Sequence, residues 1–139
     1  MIQKLLSPTS WSASATDWAS LILRLTFGLL MLSHGIPKMM KLMNGNMEFG
    51  DRIGIGVPAS LTLAVFSEVV CSVLIVLGLW TRLALIPLII TMAVAVFVVH
   101  INDALGTMEP ALLYLLSYCA LFLLGSGTFS IDAALKRKA

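Results

Sequence analysis

Four apolar runs of bilayer length, broken only by short polar or glycine-rich segments, leave this chain very few folds. A helix rises about 1.5 Å per residue, so roughly 20 apolar residues cross a hydrocarbon core about 30 Å thick. The runs cover residues 18–43, 59–80, 83–101 and 109–124. None alternates strictly between apolar and polar, and each is far longer than a barrel strand needs, so helices are expected. Of the 139 residues, 59% are hydrophobic and 12% charged, about half the charged share of a soluble domain. The mean hydropathy is +0.99. The expected fold is all-α, an integral membrane four-helix bundle with the lipid bilayer as its solvent. It forms one domain over residues 18–132, after a polar leader of residues 1–17 and before a basic tail of residues 133–139.

The breaks carry the usual stop signals. Residues 45–58 are polar and rich in glycine, Thr81 and Arg82 make a short link, and Gly125-Ser126-Gly127 ends the fourth run. Pro37 is expected to kink or end the outer part of the first span. Pro87 and Pro110 are expected in the first turns of theirs, where a missing N–H costs little. Residues 7–20 are Ser/Thr-rich ahead of the apolar run, which does not suit a signal peptide. They read as a loose or interfacial leader, with Trp11 and Trp18 at headgroup level.

Lysine and arginine set the expected orientation. With four spans, one side holds both termini, with Lys4, Arg82, Lys136, Arg137 and Lys138, and with Arg24 at the inner end of the first span. The other holds Lys38, Lys41 and Arg52, offset by Glu48, Asp51, Asp103 and Glu109. Positive charge prefers the cytoplasm, so both termini are expected there. A net charge of +2, scattered in this way, does not suggest a nucleic-acid partner. Cys71 and Cys119 are far apart with no C-x-x-C, so they read as packing residues and not as a thiol redox pair. No covalent cofactor, flavin, haem or iron–sulfur motif is present.

Charges inside the spans are costly, about 2.5–3.5 kcal/mol each at mid-membrane on insertion scales, and they mark candidate sites. Glu68 stands in the middle of the second run with no basic residue within four positions, so its partner must come from another helix. His34 and Lys38, four apart on one face of the first span, are the candidates. His100 closes the third span, Asp103 follows it by a turn, and Glu109 opens the fourth. All four spans thus bring an ionisable group to the outer half of the bundle. Blander roles compete. Lys38 can snorkel, Glu109 can favour a helix N-terminus, and Glu68 with Lys38 or His34 can be a structural clasp. Gly28 and Gly35, seven apart, suit close helix contact. At the inner end, Arg24, Arg82 and Asp132 are expected as interfacial anchors or a structural ion pair.

These residues carry a resemblance. Arg24-Leu-x-x-Gly28 and His34-Gly35-x-x-Lys38, then Glu68, Gly78-Leu-x-Thr-Arg82, His100, Glu109 and Gly125-Ser-Gly127-x-x-Ser130-x-Asp132 fall in order over residues 20–132. In this the chain resembles the DoxX family of small four-helix membrane proteins. The resemblance implies a bacterial or archaeal cytoplasmic-membrane protein. It also implies a link to redox complexes, since the family takes its name from a subunit associated with a thiosulfate–quinone oxidoreductase. The family is similar to four-helix proteins that handle quinones and thiols, whose paired thiols are absent here.

The expected function is a membrane subunit that binds a quinone or similar lipid-soluble redox molecule, with electrons supplied by a partner protein. Quinone reduction consumes protons and its carbonyls need donors. Glu68, His34 and His100 would act on the ligand, and Lys38, Glu109 and Asp103 would line the site. One alternative is a divalent metal held by His34, Glu68, His100 and Glu109, without the Glu-x-x-His spacing of di-iron bundles. Another is a non-catalytic assembly or small-solute transport role, the latter needing a homo-oligomer.

Overall fold

The structure, a computed structural model, describes residues 12–138 and contains five helices and no strand among them. Helices α1 (Ala13–Met43), α2 (Val57–Leu77), α3 (Thr81–Val99) and α4 (Leu105–Leu124) are each long and apolar enough to cross a membrane. A short α5 (Ile131–Lys138) follows. The spans run up and down in sequence order, and neighbours in sequence are neighbours in space, with α4 returning to α1.

Several boundaries differ from the sequence reading. Ser12 caps α1, its hydroxyl accepting from the Ala15 N–H at 3.2 Å, so residues 13–20 are helical and not a loose leader. Asp17 then accepts from the Thr128 N–H at 2.9 Å and the Thr128 hydroxyl at 2.7 Å, which ties the first turns to the chain beyond α4. Trp18 packs on Phe129, with ring centroids 4.8 Å apart. Trp11 lies outside the described residues. Pro37 sits inside α1, which continues to Met43. Pro87 and Pro110 likewise lie inside α3 and α4, past their first turns. Each proline therefore leaves a carbonyl one turn back without its helical donor. In α3, the Thr91 hydroxyl donates to the Pro87 carbonyl at 2.8 Å. Because α4 starts at Leu105, Glu109 stands a turn inside it and does not open it. The residues of the basic tail up to Lys138 belong to α5.

The end of α2 is set by Gly78, whose φ of 69° lies in the left-handed region. There the Leu79 N–H donates to the Leu74 carbonyl at 2.9 Å and the Gly78 N–H to the Ile75 carbonyl at 3.1 Å, a Schellman closure. The core sits toward the end of the bundle that carries the termini, where Met31, Ile75, Leu85, Leu88, Tyr118 and Leu121 are fully buried. Gly28 and Gly35 are buried where α1 meets α2. A Cβ on Gly35 would stand 2.9 Å from the Glu68 backbone carbonyl carbon, so only glycine lets the two helices approach at this level.

Two π-helical turns interrupt the spans. One, Phe66–Cys71, holds Glu68, and the other, Ala95–Val99, ends at His100, whose N–H reaches back to the Ala95 carbonyl at 2.9 Å. Such turns shift the register of a helix face and recur at functional sites. Beyond them the spans part. Val57–Val65 of α2 packs on α1, Ala95–Val99 of α3 packs on α4, and the two have little contact with each other.

Candidate functional site

Space opens where α2 and α3 diverge. It is a cavity of about 550 Å³ at the end of the bundle that carries residues 44–56, within the size range of small-molecule sites. Glu68 forms its floor and is only 2% exposed. The Lys38 ammonium bridges both of its carboxylate oxygens, at 2.5 and 2.7 Å, with the lysine side chain 31% exposed. A single nitrogen bound to both oxygens spends two of its three N–H groups and leaves the third for the cavity. The Phe49 ring lies 6.0 Å from the same nitrogen, at the outer limit of a cation–π contact.

His34, one turn before Lys38 on α1, also lines the cavity, its ring edge-on to Tyr114 at 5.8 Å. Tyr114 belongs to an aromatic stack with Phe27 and Tyr118. The Tyr118 hydroxyl donates to the Phe27 carbonyl at 3.2 Å. That of Tyr114 has no hydrogen-bond partner among the described residues. Thus α1 and α4 present an imidazole and a phenol side by side. On the far wall His100 reaches the cavity, its Nδ1 2.7 Å from Asp103 Oδ2. Asp103 is exposed and touches the site only through this bond, which orients the ring.

The loop roofs the cavity with Phe49, Gly50, Arg52 and Ile53. It is held down by Asp51, whose oxygens accept from the Gly56 N–H at 2.8 Å, the Ile55 N–H at 3.2 Å and the Ser60 hydroxyl at 2.7 Å. These bonds, the Ser60 hydroxyl first, hold the Asp51 carboxyl below its ordinary range. Lys38 pairs with Glu68, and Arg52 adds a further donor at the mouth, beside the Asp51 carboxylate. The cavity therefore offers hydrogen-bond donors to a ligand acceptor, on an otherwise apolar wall of Met31, Leu63, Ala64, Ile90 and Val94.

Of the residues expected at the site, His34, Lys38, Glu68 and His100 share this cavity. Glu109 does not. It is exposed on α4 and does not line the cavity. Among the described residues no three His, Cys, Asp or Glu side chains cluster as metal ligands, so the four-residue metal set does not assemble. Tyr114, Arg52 and Thr91 line the cavity without having been singled out. Tyr114 had a signal, an aromatic pair with Tyr118 at helical spacing, whereas Arg52 looked like ordinary loop charge.

At the other end, the expected ion pair takes a different form. Asp132 accepts from the Trp80 N–H at 2.8 Å, the Thr81 N–H at 3.1 Å and the Thr81 hydroxyl at 3.2 Å, and so caps α3 from a distant part of the chain. Arg82 donates to the Phe122 and Leu123 carbonyls at 3.2 and 3.4 Å, closing the C-terminus of α4. Arg24, 1% exposed, donates through Nη2 to the Phe129 carbonyl at 2.5 Å, and its Nε and Nη1 have no partner among the described residues. No arginine lies within ion-pair distance of Asp132 among the described residues.

A family model described as DoxX matches residues 19–101, which takes in most of α1, all of α2 and α3, and both π-helical turns. The chain belongs to the DoxX family. It is also 39% identical over 83 residues to an uncharacterized membrane protein of Mycobacterium tuberculosis, an alignment covering 53% of this chain and 46% of the relative. The chain thus spans about half the length of the curated relative it matches. No solved structure matches. This DoxX protein is a multi-pass membrane protein, and the family match contains His34, Lys38, Glu68 and His100 but ends before Tyr114.

Proposed function

We propose that this DoxX protein is the membrane subunit of a redox complex and binds a quinone, or a similar lipid-soluble carbonyl carrier, in the cavity above Glu68. The observation that carries the reading is the buried Lys38–Glu68 pair at the floor of an otherwise apolar space, with one lysine N–H left over. A quinone carbonyl accepts from that N–H and from His34 or Tyr114, while the apolar walls hold the ring. Reduction to the quinol consumes two electrons and two protons. A partner protein supplies the electrons. Glu68 and His100 pass on protons, with His100 and Asp103 placed where the cavity meets the loop end. Both termini face the cytoplasm in this reading, which puts the cavity in the outer leaflet of a bacterial or archaeal inner membrane.

Native mass spectrometry of the protein in mild detergent, with extraction and identification of the bound molecule, tests the proposal. One quinone per chain, lost in Glu68→Gln, is expected. An empty cavity, together with a stoichiometric protein partner, would remove the quinone and leave Lys38–Glu68 as a structural clasp in an assembly.

A further inference from the structure

The cavity has a side as well as a roof, and the side faces lipid. Leu63 of α2 and Ile90 of α3 both line the cavity and are 53% and 58% exposed. Such residues stand at the edges of an opening, since a side chain inside a closed wall would be buried. The opening follows from the paths of the helices. Val57–Val65 leans on α1 and Ala95–Val99 on α4, so a gap runs between α2 and α3 toward the loop end. Its lower rim is fixed where the Thr91 hydroxyl, its own hydrogen given to the Pro87 carbonyl, accepts from the Ser67 hydroxyl at 2.9 Å, Ser67 being fully buried. Ser67 belongs to the same π-helical turn as Glu68, so the turn that aims the carboxylate inward also starts the divergence. Above, Phe49 to Ile53 cover the aqueous end, pinned by Asp51 on the first turn of α2.

We infer that the gap between α2 and α3 is a lateral portal. The ligand is a long-chain amphiphile that enters from the bilayer with its polar head toward Lys38 and Glu68 and its tail left between Leu63 and Ile90. The loop from Phe49 to Ile53 lies over the other end of the cavity, in the path of a small polar solute arriving from water. The inference deepens the function proposed above by naming the tail and the route, and its lipid-side entry does not depend on the head being a quinone. An apolar side wall open to lipid has no solvation cost in the membrane, whereas the same opening in a soluble protein would be an aggregation surface.

Carbene labelling of the full chain in phospholipid vesicles tests this. A membrane-dissolved diazirine hydrocarbon is expected to label Ala64 and Met92, which are buried and line the cavity, besides the outward-facing Leu123. A charged, water-soluble diazirine is expected to leave Ala64 and Met92 unlabelled. In Leu63→Trp the hydrocarbon label at Ala64 and Met92 should fall about tenfold, with Leu123 unchanged as a check on folding. Labelling of the cavity from water only, from neither phase, or undiminished in Leu63→Trp overturns the portal. Adding a long-tailed benzoquinone separates the two proposals. If it fails to protect Ala64 and Met92 while hydrocarbon labelling stands, the quinone reading falls and the portal does not.

Discussion

Glu68 and Lys38 depend on each other unequally. Lysine lies near the loop end and keeps part of its side chain in contact with the cavity, while the carboxylate has no exposed face. Removing the cation therefore strands a buried acid, at a cost of about 3 kcal/mol for a broken buried pair. Lys38→Met is expected to lose about that much stability in detergent unfolding. The double variant Lys38→Met/Glu68→Leu is expected to recover most of it, because two apolar groups need no partner. A double variant as unstable as the single one would show that the pair is not the source of the loss. The glycines make a similar contrast. Gly35→Ala drives a methyl into the Glu68 backbone, 2.9 Å away, and is expected to cost about 1–3 kcal/mol and to weaken ligand binding as the carboxylate shifts. Gly106, with nothing within 4 Å of the position a Cβ would take, is expected to accept alanine with a gain of about 0.5 kcal/mol.

Among the elements, the ends of the helices carry distinct chemistry. Asp132 supplies the cap that Trp80, the residue before α3, cannot give with its own side chain. Asp132→Ala is expected to cost about 1–2 kcal/mol, as for lost N-caps, and Asp132→Asn less, measured by thermal unfolding in detergent. The roof of the cavity is held by Asp51, whose folded carboxyl titrates below the ordinary value of about 3.9. A depressed acid contributes stability that is full above its unfolded value and is lost as pH falls through the folded one. The wild type should therefore lose more stability than Asp51→Asn as the pH falls below the ordinary aspartate value. Equal loss in the two proteins would mean that the Ser60 and Gly56 bonds do not survive in solution. Thr91 shows how an element can be legible in kind and not in detail. Its run was readable as a span, yet the hydroxyl bond to Ser67 that sets where α3 leaves α2 depends on a neighbour 24 positions away.

For the molecule as a whole, the proposed sidedness rests on the distribution of charge. Arg24, Arg82, Lys136, Arg137 and Lys138 gather at the end with the termini, and Lys38, Lys41 and Arg52 at the other. Single-cysteine variants in a Cys71→Ala/Cys119→Ala background make the test. An impermeant maleimide applied to intact cells is expected to label Gly54→Cys and to miss Ala134→Cys until the membrane is permeabilised. The reverse pattern would place the cavity in the cytoplasmic leaflet and remove the outer-leaflet part of the proposal.

The number and type of the spans were fixed by the sequence alone, because hydrocarbon forces every backbone group to bond within its own helix and only long apolar runs satisfy that demand. The same cost made Glu68 conspicuous and required a partner on another helix. Which partner it found was not written in the spacing. His34 and Lys38 lie on one face of α1, and only the approach of α2 at Gly35 brings lysine, and not histidine, onto the carboxylate. Glu109 looked equivalent by position along the membrane normal, yet α4 begins a turn earlier than expected and turns it outward. Rotation of each helix about its axis decides such matters. That rotation is set by packing between helices, which no single run encodes. The π-helical turns, and the gap they open between α2 and α3, belong to the same class of fact.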